Sequence, residues 1–384
     1  MAIYLDNAAT SFPKPPEVHQ AVAATLRDAG ANPGRGGHHL ALEAGRIVFE
    51  AREAAAEIIG AHDASRIAFT GNATEAINFG LFGLLRPGDR VVTSTMEHNA
   101  VTRPLRALQD QGLCVVKVRA DERGRIDPGE IRRACAEKKT TMVVLSHCSN
   151  VTGTLQPIED IGPWCRREGI VFFVDAAQSA GIFSLDVDDM GIDLLAAPGH
   201  KGLLGPQGTG FLYVREGLEP RPLVYGGTGA NSSSDLPPEH MPERLEAGTL
   251  NTPGLAGLTA GIRFLQREGL AAIRAHEAEL LGELIEGLSA IAGMKLHGPL
   301  DPLYHGGALS LTLGEYDPAE IGFLLDREYG ILARVGLHCA PDAHRTIGTF
   351  PRGTVRLSPG YFNTLDEMRT VVGALSALAA HPPR

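Results

Sequence analysis

Chemistry concentrates around Lys201, which stands in APGHKGLLG (197–205) on a glycine-bounded turn just past an apolar run. Upstream, GIVFFVDAAQSAG (169–181) carries five apolar residues in succession and delivers Asp175 and Gln178 at its end, the pattern of a buried strand. In an α/β sheet the ends of neighbouring strands open onto one crevice. An amine, a carboxylate and an amide emerging this way can all face one ligand, which a surface ion pair would not require. Pyridoxal 5'-phosphate calls for such a set: a lysine amine for its Schiff base and a carboxylate that keeps its pyridine nitrogen protonated. Lys201 and Asp175 suit those two roles, against the plainer reading of a lysine on an ordinary turn.

Other candidates fall at similar strand ends. After the strand RIAFT (66–70), a small polar turn opens the helix GNATEAINFGLFGLL. Its first amides are free, so Ala73 and Thr74 can cradle a phosphate, with the Thr74 hydroxyl as a further donor. Any strand-to-helix junction of small residues looks similar, and the turn gains meaning beside Lys201 and Asp175. His98 follows the strand RVVTST (90–95) and reads alone as a cap or packing residue. Asn150, in SHCSNVTG, reads as an Asx turn, and Cys148 before it as buried. In ILARVGLHCAP (331–341), Cys339 lies beside His338 and five residues after Arg334. Alone it reads first as a small buried hydrophobe, but cationic neighbours favour the nucleophilic thiolate. Arg356, in TVRLSPGYFNT, offers two parallel donors in a fixed plane, suited to a carboxylate or to an ion pair.

Taken together, VDAAQ and PGHKGLLGPQGTG resemble the class V pyridoxal phosphate enzymes of fold type I, and in particular the cysteine desulfurases, over nearly the whole chain. RVGLHCA is close to the RTGHHCA of the SufS-type branch. The resemblance implies that His98 stacks on the cofactor ring and assists proton movement, that Asn150 contacts the ring or the substrate carboxylate, and that Gln178 bonds the ring oxygen. It assigns His200 to the phosphate, Arg334 and Arg356 to the substrate, and Cys339 to receiving sulfur from L-cysteine. Thr249, in LEAGTLNT, would reach the phosphate of a partner subunit, making a homodimer. The glycine-rich loop NPGRGGHH (32–39) would lie near the site, with His38 and His39 as secondary candidates, or be a plain surface loop. The sequence departs from the pattern at Val335 and Leu337, which removes one histidine near the cysteine. It departs again at Pro198, where a phosphate-donating serine is common and a proline has no N–H. Only 17 residues separate Cys339 from Arg356, so the cysteine loop is expected to be short and fixed. The resemblance to the SufS-type branch then implies a separate sulfur-acceptor protein, with iron–sulfur cluster assembly, thiolated tRNA or a cofactor as the pathways it could serve. A selenocysteine lyase, which accepts L-selenocysteine, and an aminotransferase-like enzyme are the alternatives.

The expected frame is α/β. A large domain at residues 16–253 would hold a mostly parallel seven-stranded sheet covered by helices, and a smaller α+β domain at 254–384 would carry Cys339 and Arg356. Residues 1–15 are an arm packing with the small domain, and the irregular 220–253 stretch is the seam. Helices are expected at 40–59, 127–137, 255–266 and 270–291, the last with an apolar stripe from Leu270 to Ile291. Asp317, Pro318 and Glu320 start another helix, and Thr364 with Glu367 the last. The chain has 384 residues, 43% hydrophobic and 21% charged, with net charge -10. That charge, without a basic block, argues against nucleic-acid binding. Five cysteines without a CxxC pair support neither a disulfide framework nor a zinc site, and no metal is expected. No apolar run approaches the roughly 20 residues of a membrane span, so a cytoplasmic protein is expected.

Overall fold

The computed structural model describes residues 2–34, 36–229 and 233–380. Arg35, in the glycine-rich loop, and Ala230, Asn231 and Ser232, in the irregular seam, lie outside the described residues. The chain opens with β1 (Ile3–Tyr4), α1 (Pro16–Asp28) and α2 (His39–Ile58). An alternating run follows: β2 (Ile67–Thr70), α3 (Ala73–Leu84), β3 (Arg90–Ser94), α4 (Asn99–Gln109), β4 (Cys114–Val118) and α5 (Pro128–Ala136). It continues with β5 (Met142–Ser146), α6 (Ile158–Glu168), β6 (Val171–Asp175), β7 (Leu194–Pro198) and β8 (Gly210–Val214).

These strands form one seven-stranded sheet in the order β2-β8-β7-β6-β5-β3-β4. Pairs among β3 to β7 are parallel, and β8 runs antiparallel to both its neighbours. Strands β3, β5, β7 and β8 are buried throughout and β6 from Phe172 onward, as strands covered by helices on both faces are. β4, at one edge, is partly exposed and carries Lys117, whose ammonium pairs with Asp342 at 2.6 Å. Successive residues of β6 divide between two cores: Phe172 and Val174 face one, Phe173 the other, beneath α3 and α4. Asp175 shares the parity of Phe173 and emerges on the side where α3 and α4 begin. Gly80 of α3 permits that packing, since a Cβ there would lie 2.4 Å from the Phe173 ring.

The rest comprises α7 (Thr252–Glu268), α8 (Leu270–Ser289), β9 (Met294–His297), β10 (Leu309–Leu313), α9 (Pro318–Tyr329) and β11 (Ile331–Leu332). It ends with β12 (Arg334–Gly336), α10 (Pro341–Ile347), β13 (Thr354–Leu357) and α11 (Leu365–Ala380). A four-stranded sheet, β12-β13-β10-β9, is antiparallel and shares a core with Leu284 and Leu288 of α8 and Val371 and Leu375 of α11. The expected caps form: the Asp317 carboxylate accepts from Ala319 N–H, and Thr364 and Glu367 bond reciprocally.

Two features refine the division of the chain. Helix α7, assigned from sequence to the small domain, packs on α1 and α2 and buries Leu258 and Ile262 in the large core. The apolar stripe of α8 is likewise split, with Ile273 in the large core and Leu280 onward in the small one. We therefore draw the seam between the two cores at Gly269 and the first turns of α8, after α7. The N-terminal arm joins the small core through β1, which pairs in parallel with β11, and through fully buried Leu5. The irregular stretch is anchored by Glu246, whose carboxylate takes Arg52 in two bonds of 2.7 and 2.9 Å and the Phe69 N–H at 2.7 Å. That buried pair fixes β2, the strand leading to the Ala73 turn.

Candidate functional site

The carboxyl ends of β5, β6 and β7 lie side by side, with Ser146 opposite Asp175 and Asp175 opposite Ala196. A cavity opens there and brings together Ala73, Thr74, His98, Asn150, Asp175, Gln178, His200 and Lys201. Thr249 is not among them. It lines a separate cavity with Phe69, Gly71 and Glu75, its hydroxyl accepting from the Asn32 amide at 3.1 Å. His38 caps α2 by accepting from Ala41 N–H and His39 begins that helix; neither lines the cavity.

The anion end is built by α3. Asn72 caps the helix by accepting from Glu75 N–H at 2.9 Å, and Glu75 reaches back to Gly71 N–H at 2.6 Å. The amides of Ala73 and Thr74, at the first two helical positions, have no intrahelical acceptor and stay available to an anion. Gly210 lets this turn lie against β8: a Cβ there would sit 2.8 Å from the Asn72 carbonyl carbon.

Lys201 rides a turn closed by Gly205 N–H to Gly199 O and Leu204 N–H to Lys201 O. Burial lowers its ammonium to about 8, and the neighbouring guanidinium groups of Arg356 and Arg334 push the same way, against Asp175. Asp175 is buried, accepts Ala177 N–H at 2.9 Å and is raised above the ordinary carboxylate range by that burial. His98 caps α4, its Nδ1 accepting from Ala100 N–H at 3.0 Å. An accepting Nδ1 places the neutral ring's proton on Nε2. Burial and then Lys201 lower His98 to about 4, so the ring presents no positive charge to the cavity. Gln178 donates to Ala8 O at 2.9 Å, which leaves one amide hydrogen and its carbonyl for a ligand.

Cys339 is exposed, with Arg334 Nη2 3.8 Å from its sulfur. Its turn is pinned to the large body twice: Asn99 N–H donates to Cys339 O at 2.8 Å and the Asn150 amide to His338 O at 2.6 Å. The same Asn150 accepts from Arg356 Nη1 through its backbone carbonyl at 2.9 Å. His338, adjacent to the cysteine in sequence, is not a cationic neighbour. Its ring turns inward, pairs with Thr354 Oγ1 at 3.1 Å, and is pushed down to about 2 by burial and by Arg356. Arg334 takes that position instead. Cys148 is buried and its thiol is raised to about 12.

Three residues of the site are not legible as such in the sequence. Asp6 accepts from Arg356 Nη2 at 2.7 Å, and Lys14 donates to His200 O at 2.8 Å. Glu97, directly before His98, is buried behind Asp175 and accepts from Ser94 Oγ at 2.5 Å and from Ser146 N–H and Oγ at 2.8 Å each. A carboxylate at the end of an apolar strand was the available signal. Burial raises Glu97 to about 7, with Asp175 adding to it against the serine donors. Because the folded state then holds a proton that the unfolded chain releases near 4.5, Glu97's favourable contribution is lost as pH rises from there through 7. Glu97→Gln keeps an acceptor for Ser146 and removes that titration. Its stability relative to wild type, by urea denaturation of cofactor-free protein, should therefore rise between pH 5 and 7.5 by about 2–3 kcal/mol.

A strand-end crevice on a mostly parallel seven-stranded sheet, with a lysine, a buried carboxylate and open helix amides, defines an enzyme of fold type I. The sequence model of the family described as aminotransferase class-V matches residues 3–371, and the chain belongs to that family. It is 40% identical to a probable cysteine desulfurase of Methanothermobacter thermautotrophicus, over 98% of this chain and 94% of that protein. It is 32% identical to the cysteine desulfurase of Haloferax volcanii, over 98% and 89%. Among solved structures, the apo cysteine desulfurase of Thermococcus onnurineus NA1 superposes with a TM-score of 0.93 at 34% identity, covering 99% of this chain and 95% of that one. The Escherichia coli cysteine desulfurase CsdA, solved as its S-sulfonic acid, gives 0.86 at 28% identity, over 98% and 94%. Among the described residues no helix is long and apolar enough to cross a membrane.

Proposed function

We propose that the chain is a pyridoxal 5'-phosphate-dependent cysteine desulfurase that converts L-cysteine to L-alanine and holds the sulfur on Cys339 as a persulfide. The observation that carries this reading is the exposed Cys339 sulfur beside Arg334, on a turn bonded to the same Asn150 that lines the lysine cavity. An aminotransferase has no use for a cysteine held there.

The residues present fit the cofactor. Asp175 is a buried carboxylate with a raised pKa, suited to a cationic ring N–H, and His200 Nδ1 is buried with no partner among the described residues. Ala73, Thr74 and His200 would hold the phosphate, and His98, Asn150, Asp175 and Gln178 the ring. Pro198 contributes no donor. When bound, the cofactor supplies an electron sink for a substrate losing its α-proton. Lys201 Nζ, with its pKa near 8, takes that proton and returns one. Arg356 and Arg334 hold the substrate carboxylate. The Cys339 thiolate attacks the substrate sulfur: the carbon–sulfur bond breaks, a sulfur–sulfur bond forms on Cys339, and the carbon fragment is protonated to alanine.

Thr249, outside its own chain's cavity, would serve the phosphate of a partner in a homodimer. The exposed Tyr225 and Leu236 of the same irregular segment support a covered surface there. A docked sulfur-acceptor protein and a cytoplasmic location complete the reading. The test is product analysis: holoenzyme given L-cysteine and a thiol reductant should release alanine and sulfide in equal amounts, with L-selenocysteine run beside it. Turnover of L-selenocysteine alone would make it a selenocysteine lyase. Amino transfer to an oxo acid without sulfide would make it an aminotransferase.

A further inference from the structure

We propose that Asp6 is a positioning residue for Arg356, a role that rests on Arg356 holding the substrate carboxylate. Arg356 is 1% exposed and spends two of its five N–H donors: Nη1 on Asn150 O at 2.9 Å and Nη2 on Asp6 at 2.7 Å. Its Nε is buried with no partner among the described residues. A buried donor left unpaired costs free energy, and an arriving carboxylate would satisfy it. The Asp6–Asn150 pair thus fixes the plane of the guanidinium while leaving an edge unspent.

Asp6 is itself held. It bridges in parallel to Ser358, two residues beyond Arg356, with Ser358 N–H to Leu5 O at 2.8 Å and Ala8 N–H to Ser358 Oγ at 3.0 Å. The same arm then grips the lysine turn. Ser11 N–H, the Thr10 hydroxyl and Lys14 Nζ all lie within 3.1 Å of His200 O. A segment of nine residues, Asp6 to Lys14, therefore ties the arginine to the peptide that carries Lys201. Asp6 sets the orientation of Arg356 relative to the amine the substrate must reach, and its loss should weaken ligands that carry a carboxylate and spare those that do not.

The experiment titrates holoenzyme with L-alanine and with L-alaninamide, read by the change in cofactor absorbance. Asp6→Asn should weaken L-alanine about tenfold and leave L-alaninamide within about twofold. Arg356→Lys is the control and should be selective in the same sense and larger in effect. Asp6→Glu keeps the charge, shifts the carboxylate by one methylene and should fall between wild type and Asp6→Asn; it also carries the test should Asp6→Asn not fold. Equal weakening of both ligands by the Asp6 variants, or of neither, overturns the positioning role. If Arg356→Lys also leaves L-alanine binding unchanged, the fault lies with the assignment of Arg356; if it weakens L-alanine alone, that assignment stands without Asp6.

Discussion

Replacing Cys339 with alanine should cut sulfide release from L-cysteine by at least about a hundredfold, while cofactor loading and the spectral response to L-cysteine persist. The turn survives the change. His338 and Cys339 adopt φ of 47° and 59°, a left-handed pair costing on the order of 1–2 kcal/mol per residue, and the two asparagine bonds that hold it act on backbone carbonyls. Alanine retains the Cβ, so only the sulfur is lost. Cys135 and Cys165 are buried and Cys114 lies on the edge strand β4, none of them lining the lysine cavity; Cys148 lines it, but burial raises its thiol to about 12. The measurement is sulfide and alanine release, with mass spectrometry of alkylated wild type to find the persulfide. A variant that releases sulfide at the wild-type rate would sink the role of Cys339. Arg334→Ala, which keeps the thiol and removes its cationic neighbour, should fall between the two.

The parts of the site visible in the sequence are those whose meaning is local. An apolar run that stops at Asp175, a glycine-bounded turn at Lys201 and small residues opening a helix at Ala73 each declare a strand end or a helix N-terminus within a few residues. Their convergence follows from one rule about parallel sheets. What stayed hidden depends on partners far along the chain. Asp6 gains its role from Arg356, 350 residues away, and Glu246 from Arg52, 194 away; alone, each is one more acidic residue in a polar stretch. The same limit explains α7. Its apolar face is evident, but only α1 and α2 decide which core receives it. His338 marks the complementary case, since a histidine beside a cysteine suggests a cationic neighbour and burial against Thr354 and Arg356 removes the charge.

Lys201→Ala should lower desulfurase activity by more than about a thousandfold, because among the described residues no other lysine lines the cavity that holds Asp175. The mechanism behind that loss can be checked separately in cofactor-free protein. Capture of an aldehyde needs a neutral amine, and burial brings Lys201 down to about 8, where an ordinary lysine is still almost wholly charged. Covalent uptake of pyridoxal 5'-phosphate, trapped with borohydride, should therefore quicken about tenfold per pH unit below 8 and level off above it. Lys14 is the internal control. Burial lowers it to about 8 as well, but its Nζ is engaged by Ser11 Oγ at 2.6 Å and His200 O at 2.8 Å, and it does not line the cavity with Asp175. Peptide mapping should place the trapped label on Lys201, and Lys14→Met should leave that position labelled. Label on Lys14, or uptake that keeps rising tenfold per unit to pH 10, would mean that the buried amine at the end of β7 is not the one the cofactor meets.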